Sequence, residues 1–135
     1  MSVLEIIQRN TLSSLLLMRG YNVFLPVTDQ GIDFIIHREC DGDLKLIQQK
    51  SRWTIDRKYL GRNIWVAFLS REEWYLAPHD EMIALESAKG TTLETASWRE
   101  GNQYSRANLS HADELIYAPY RLRADLGDCD GTGPR

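Results

Sequence analysis

The sequence predicts an α/β protein with a mixed central β-sheet of about four to five strands flanked by helices. An amphipathic segment covers residues 3–19, and short apolar runs of β type follow it as far as residue 77. An Asp-Gly turn joins two of these runs into a hairpin. Of the 135 residues, 43% are hydrophobic and 26% are charged, which is typical of one globular domain, here expected over residues 1–124.

The first elements follow from local signals. Apolar residues recur on one face of residues 3–19, which predicts a helix, and Gly20 is expected to end it. A first strand is predicted at residues 21–25, before Pro26. Two further strands, at residues 32–37 and 44–50, are joined by the turn Asp41-Gly42-Asp43.

The second half of the chain reads less clearly. Residues 63–69 form the most apolar run and predict a central strand, and residues 74–77 predict a shorter one. Asp80 is expected to cap a helix that runs to Lys89. Residues 91–98 predict a short helical piece, residues 98–107 an irregular segment, and Ser110 the cap of a last helix. Residues 125–135 are polar and rich in Gly and Asp, so a disordered tail is expected there.

The hairpin carries polar residues where strands are otherwise apolar. Asp33 lies near the start of its first strand, and Gln48 and Lys50 lie at the end of its second. Because side chains alternate along a strand, Gln48 and Lys50 point to one face and Gln49 to the other. Antiparallel pairing brings Asp33 beside this pair. Such a cluster costs free energy unless it has partners or a function.

This pattern, Asp-(turn)-Gln-x-Lys after a helix and a Gly-Tyr-x-Val strand, resembles the PD-(D/E)XK nuclease superfamily in its Gln-x-Lys branch. That branch includes restriction enzymes, Holliday-junction resolvases and some homing endonucleases. The resemblance extends from the first helix to Leu76 and implies a restriction-endonuclease-like core. It also implies a metal-dependent DNA endonuclease that uses Mg²⁺ or Mn²⁺.

The resemblance assigns roles to individual residues. Asp33, Gln48 and Lys50 would be catalytic, with Asp33, the Gln48 amide oxygen and the Gln49 backbone carbonyl as metal ligands. Lys50 would orient the attacking water and stabilise negative charge. A structural salt bridge between Asp33 and Lys50 is the alternative interpretation.

A second acidic ligand is less clearly placed. Active members of the superfamily often carry an acid on the first helix, and the expected position here holds Gln8 or Arg9. Glu5 lies one helical turn before Arg9, and Asp29 lies four residues before Asp33. Either Glu5 or Asp29 would complete the site. Gln48 in place of the usual acid removes a negative charge, so metal affinity is expected to be low.

The segment after Lys50 is the most typical of nucleic-acid binding. It combines cations, which neutralise phosphates, with aromatic rings, which stack on bases. Within residues 52–62, here named the basic crossover, a short helix at residues 55–60 is expected. The residues expected to bind nucleic acid are Arg52, Trp53, Arg57, Lys58, Tyr59 and Arg62.

Charge, cysteine content and hydropathy bound the function further. The net charge of −3 excludes a uniformly basic surface but allows a local basic face. Cys40 and Cys129 lack metal-site spacing, so a reduced, cytoplasmic protein is expected. No apolar run reaches the roughly 18 residues of a membrane span, so no membrane partner is expected.

Three functions remain in competition. The first is the endonuclease, expected as a homodimer because one small domain holds one site for two DNA strands. The second is a nucleic-acid-binding or interaction module on the same fold with weak or lost catalysis. The third is a protein unrelated to nucleic acid, in which Trp53 and Tyr59 line a pocket for another ligand.

Overall fold

A mixed five-stranded sheet forms the centre of the structure, a computed structural model that describes residues 2–90 and 92–123. The strand order is β1-β2-β3-β5-β6, and a second sheet pairs β4 with β7. Only β3 and β5 run parallel in the central sheet; its other pairs are antiparallel. The strands are β1 Tyr21–Phe24, β2 Phe34–Arg38, β3 Asp43–Lys50, β4 Trp53–Asp56, β5 Ile64–Ser70, β6 Glu73–Pro78 and β7 Gln103–Arg106. The predicted fold class, a mixed sheet flanked by helices, is confirmed.

Four α-helices surround these strands: α1 Val3–Met18, α2 His79–Ser87, α3 Ala96–Arg99 and α4 His111–Tyr117. Ser2 caps the N-terminus of α1, and its hydroxyl accepts a hydrogen bond from the Glu5 amide at 3.1 Å. It ends before Gly20, whose φ of 88° is readily adopted only by glycine. The predicted helix is confirmed, and Leu12 and Leu16 are buried on its inner face. The apolar residues of its first turns, Val3, Ile6 and Ile7, are exposed.

The β2–β3 hairpin forms as the Asp-Gly turn predicts. Gly42 has a φ of 72°, and Phe34 pairs with Ile47 near the open end of the hairpin. This register carries Asp33, just before β2, to the end of β3. The hairpin is therefore the element that positions the predicted site.

The central sheet is covered on both faces, because its inner strands are apolar on both. Ala67 and Leu76 belong to the core cluster that holds Leu12 of α1. Their neighbours Val66 and Ala77 belong to a second cluster on the opposite face. This second cluster joins the sheet to β4 and the short helices; it contains Trp53, Ile55, Met82, Trp98, Leu109 and Tyr117.

The basic crossover differs from the expected short helix. It folds as strand β4 followed by a single 3₁₀ turn, Arg57–Tyr59. Its partner, β7, lies in the segment that was expected to be irregular, and Ile55 pairs with Tyr104. The predictions of a short helix and of an irregular segment were wrong because this strand pairing joins residues far apart in sequence. Local sequence periodicity does not indicate such a pairing.

Three smaller predictions have different outcomes. The cap at Asp80 is wrong, because α2 already begins at His79 and Pro78 occupies its N-cap position. The cap at Ser110 is confirmed, since its hydroxyl accepts a hydrogen bond from the Asp113 amide at 3.1 Å. Strand β5 lies inside the sheet as expected, but β3 holds the middle position.

Two further predictions concern the cysteines and membrane-spanning segments. Cys40 is disulfide-bonded, so the expectation of reduced cysteines is wrong for this residue, and a cytoplasmic location stays a prediction. Cys129 and the predicted tail, residues 125–135, lie outside the described residues. No helix within residues 2–90 and 92–123 is long and apolar enough to cross a membrane.

Candidate functional site

Asp33 and the end of β3 are joined by two hydrogen bonds, one between backbone groups and one to the Asp33 carboxylate. The Asp33 amide donates to the Ile47 carbonyl at 2.8 Å, and the Gln49 amide donates to Asp33 Oδ2 at 2.7 Å. The hairpin register therefore holds the carboxylate beside Gln-x-Lys, as the strand pattern predicts.

These residues open onto one cleft of about 230 Å³, here named the Gln-x-Lys cleft. Helix α1 supplies one wall, and the ends of the hairpin strands supply the rest. The lining residues are Glu5, Gln8, Asp33, Gln48, Gln49, Lys50 and Ser51. Of the two predicted candidates for a second acid, Glu5 lines this cleft.

Asp29 has another place in the structure. Its Oδ1 accepts a hydrogen bond from the Gly31 amide at 3.0 Å, which closes a local turn ahead of β2. Asp29 does not line the Gln-x-Lys cleft. Its negative charge nevertheless contributes to raising the pKa of Asp33.

The polar residues at the end of β3 lie alternately on the two faces of the sheet. Lys50 pairs with Phe68 and therefore shares a face with the second core cluster, whereas Gln49 shares a face with α1. Gln49 Nε2 donates to the Glu5 backbone carbonyl at 3.1 Å. This bond ties the first turn of α1 to the cleft and fixes which helical residues reach it.

Two amide oxygens at the cleft have no hydrogen-bond partner among the described residues. Gln48 Oε1 and Gln49 Oε1 are both buried and unpaired. An unsatisfied buried acceptor costs about 1–3 kcal/mol, so such atoms are retained where a ligand or solvent satisfies them. A hard cation fits this requirement, because Mg²⁺ prefers oxygen ligands.

The carboxylate supply of the site is small. Within the described part of the chain, no group of three or more His, Cys, Asp and Glu side chains is arranged to hold a metal ion. The acids of the cleft are Asp33 and Glu5, and its other side-chain oxygens are glutamine amide oxygens and the Ser51 hydroxyl. This donor set fits a weakly held Mg²⁺ or Mn²⁺ that keeps several waters.

Burial shifts the pKa of both charged residues at the centre of the cleft. It raises the pKa of Asp33, and the nearby acids Asp29 and Glu5 add to this effect, while the bond from the Gln49 amide opposes it. Burial also lowers the pKa of Lys50, and the neighbouring ammonium of Lys58 lowers it further. Burial shifts the pKa in these directions because it disfavours the charged form of each group.

The aromatic residues of the basic crossover do not face solvent. Trp53 is 0% exposed and Tyr59 is 1% exposed, so neither ring is available to stack on a base or to line a ligand pocket. Trp53 belongs to the second core cluster, and the Tyr59 ring is buried against the His79 ring. The stacking role predicted for them is therefore wrong, as is the ligand pocket of the third hypothesis.

The four cations of the same segment are exposed. Arg57 lies over the Trp98 ring at 5.0 Å, and Arg62 Nη2 donates to the Gln30 carbonyl at 2.5 Å. Lys58 Nζ lies 3.8 Å from Asp56 Oδ2. Arg52 is exposed beside Ser51 of the cleft. The crossover thus offers positive charge next to the cleft, although three of its cations also brace the fold.

Sequence reasoning missed two features of the site. Ser51 lines the cleft, and its position directly after Lys50 was the available signal. His79 does not line the cleft. It contacts the basic crossover through its Nε2, which accepts a hydrogen bond from the Asp56 amide. In the sequence, His79 and Asp80 form a His-Asp pair directly after a predicted strand, and only the tertiary structure shows what the pair contacts.

Comparison of the chain with protein-family models, with curated proteins and with solved structures finds no match. The resemblance to the PD-(D/E)XK superfamily therefore depends on the quoted residues alone. The function must be argued from the geometry of the Gln-x-Lys cleft.

Proposed function

We propose that the protein is a Mg²⁺- or Mn²⁺-dependent deoxyribonuclease that hydrolyses phosphodiester bonds at the Gln-x-Lys cleft. The observation that carries this proposal is the unpaired, buried Gln48 Oε1 in the same open cleft as Asp33 and Lys50. Most buried polar atoms in folded proteins have a hydrogen-bond partner, so an unpaired acceptor in an open cleft supports a ligand-binding role.

Asp33, Gln48 and the Gln49 backbone carbonyl would hold the cation, with Glu5 as the second acid. When bound, the ion supplies Lewis acidity and a water of lowered pKa. The Gln49 amide fixes the Asp33 carboxylate in position through its 2.7 Å bond, so this ligand needs little reorganisation.

Lys50 acts on the substrate side of the cleft. Its ammonium stabilises the negative charge that develops on the phosphate and orients the attacking water. Partial burial strengthens these interactions, because the effective dielectric is lower than in bulk water.

The exposed cations of the basic crossover would bind the DNA backbone next to the cleft. Arg52, Arg57, Lys58 and Arg62 contribute positive charge to a chain with a net charge of −3. Phosphate binding releases counterions, so affinity should fall steeply with salt. Cleavage of both strands of a duplex from one cleft per chain calls for a homodimer.

A second candidate function is a nucleic-acid-binding or interaction module without catalysis. The observation that favours it is the small number of carboxylates in the cleft. In this case Lys50 would have no role in hydrolysis, and DNA binding would not depend on divalent metal.

The decisive experiment incubates the protein with a panel of linear, branched and single-stranded DNAs in Mn²⁺, in Mg²⁺ and in EDTA. Metal-dependent cleavage is expected, and Mn²⁺ titration by calorimetry should show weak binding that Gln48→Leu reduces. Salt-dependent DNA binding with neither cleavage nor metal binding would favour the module. Sedimentation of the same samples tests the homodimer.

A further inference from the structure

His79 is fully buried between α2 and the basic crossover. Its Nε2 accepts a hydrogen bond from the Asp56 amide at 3.0 Å, and its Nδ1 lies 3.2 Å from Asp80 Oδ1. Because Nε2 is an acceptor, the ring is neutral and carries its proton on Nδ1, which donates to Asp80.

Asp80 also binds the backbone on the far side of the 3₁₀ turn of the basic crossover. Its Oδ2 accepts a hydrogen bond from the Gly61 amide at 3.0 Å. The two neighbouring side chains thus bind the backbone at Asp56 and at Gly61, on both sides of the 3₁₀ turn Arg57–Tyr59. A turn of three residues makes few bonds of its own, so these contacts fix its position.

Tyr59 connects this turn to the cleft. Its ring meets the His79 ring edge-on, with 5.5 Å between the centroids. Lys50 Nζ lies over the same Tyr59 ring, 5.7 Å from the centroid, and Lys58 Nζ lies at 5.2 Å. Ammonium groups are attracted to such ring faces, so the ring helps to set the position of Lys50.

We infer that His79, together with Asp80, is a positioning residue: it holds the turn that carries Tyr59, and through Tyr59 it places Lys50 in the Gln-x-Lys cleft. The consequence for hydrolysis depends on the proposed nuclease function, whereas the placement of Lys50 does not. His79 itself does not line the cleft, so its effect on Lys50 is indirect.

The contact is sensitive to pH. The groups that face His79 are Asp80 of its own helix, and Asp56 and Tyr59 of the crossover, with Lys58 bridged to Asp56. Burial lowers the pKa of His79, although Asp80 and Asp56 oppose the shift. Protonation would remove the acceptor for the Asp56 amide. Stability from this residue is complete above the ordinary His pKa and is lost as pH falls towards the lowered one.

The test compares His79→Leu, which removes the acceptor, with His79→Gln, whose amide oxygen can accept from the Asp56 amide and does not titrate. His111→Gln, at an exposed histidine of α4, is the control. In His79→Leu, hydrogen exchange at the Asp56 and Gly61 amides should be about tenfold faster. The Lys50 ε-methylene resonance, displaced by the Tyr59 ring, should move towards its free-lysine position.

The kinetic result should separate positioning from simple stability. In His79→Leu, kcat for Mn²⁺-dependent cleavage should fall about tenfold to a hundredfold with little change in KM, because a misplaced group costs transition-state stabilisation. His79→Gln should recover most of kcat and flatten the decline of kcat at low pH. His111→Gln should match the wild type.

These results test the positioning role of His79 and the proposed nuclease function separately. Faster exchange with an unchanged Lys50 resonance and unchanged kcat would overturn the inference and leave His79 a structural residue. If the wild type cleaves no DNA, the proposed nuclease function fails, and the exchange rates and the Lys50 resonance still decide the placement. If His79→Leu does not fold, His79→Gln provides the test. A decline of its kcat at low pH identical to that of the wild type would overturn the inference.

Discussion

The Gln-x-Lys cleft and a second cluster of charges, among α2, β7 and α4, both place charged residues out of solvent. The second cluster, here named the ion-pair network, contains Glu86, Lys89, Arg106 and Asp113. Glu86 is 0% exposed and Asp113 is 2% exposed, which is deeper burial than Asp33 has. The two clusters differ in how their charges are satisfied.

In the ion-pair network, each charge meets an opposite charge. Arg106 Nη1 lies 2.9 Å from Asp113 Oδ2, and Arg106 also pairs with Glu86. Lys89 Nζ lies 2.6 Å from Asp113 Oδ1 and 3.2 Å from Glu86 Oε1. Two acids and two bases therefore cancel, and the Arg106 guanidinium covers the Trp53 ring at 4.2 Å.

The cleft shows the opposite arrangement. Gln48 Oε1 is buried and has no hydrogen-bond partner within residues 2–90 and 92–123. Burial is the largest cause of the pKa shifts of both Asp33 and Lys50. The comparison teaches that buried charge alone does not indicate function. The charges of the ion-pair network are balanced by opposite charges within the protein, whereas the cleft leaves Gln48 Oε1 without a hydrogen-bond partner among the described residues.

The largest expected effect is on the ion-pair network. Arg106→Leu leaves Glu86 and Asp113 buried with Lys89 as their remaining partner in the network, so the free energy of unfolding should fall by about 3–5 kcal/mol. Urea denaturation measures this loss. Arg99→Leu, at an exposed arginine of α3, is the control and should change stability by less than about 0.5 kcal/mol. Equal stability of the two variants would contradict a structural role for the network.

Removal of the cleft ammonium should affect activity instead. Lys50→Ala should lower kcat for Mn²⁺-dependent DNA cleavage by about 10²- to 10³-fold, because transition-state charge loses its partner. Its free energy of unfolding should stay close to the wild-type value, as measured in the same urea series. Full cleavage by the folded variant would end the role assigned to Lys50.

The second acid of the cleft is tested by a matched pair of variants. Glu5→Gln should weaken Mn²⁺ binding by about tenfold or more, since Glu5 lines the cleft. Asp29→Asn keeps the acceptor for the Gly31 amide and should bind Mn²⁺ nearly as well as the wild type. Calorimetric titration of both variants provides the comparison, and the reverse order would make Asp29 the ligand.

The smallest effect concerns stability at the cleft. Burial raises the pKa of Asp33, so its ionised form destabilises the folded state, and stability falls as pH rises through the shifted range. Asp33→Asn should therefore be more stable than the wild type at pH 7. The difference should shrink as pH falls below the ordinary Asp pKa of 3.8.

Asp113→Asn is the matched comparison for this last variant, because the same substitution in the ion-pair network removes a paired charge. It should lower the free energy of unfolding, as followed by urea denaturation across the pH range. A loss of stability in both variants at pH 7 would show that Asp33 is held as a structural group.

The sequence by itself determined the hairpin and the residues that meet at its open end. Turn chemistry at Gly42 and the two-residue period of strands are local rules, so Asp33 could be placed beside Gln48 and Lys50 without coordinates. The end of α1 followed for the same reason, because the stop at Gly20 involves only neighbouring residues.

Only the tertiary structure decided which acid reaches the cleft, where the aromatic rings of the crossover point and what His79 contacts. Glu5 is brought in by the packing of α1, and Trp53 is turned inward by the pairing of β4 with β7. These outcomes depend on contacts between segments far apart in the chain, whose free energies come from burial and packing. Local pattern carries no record of such contacts.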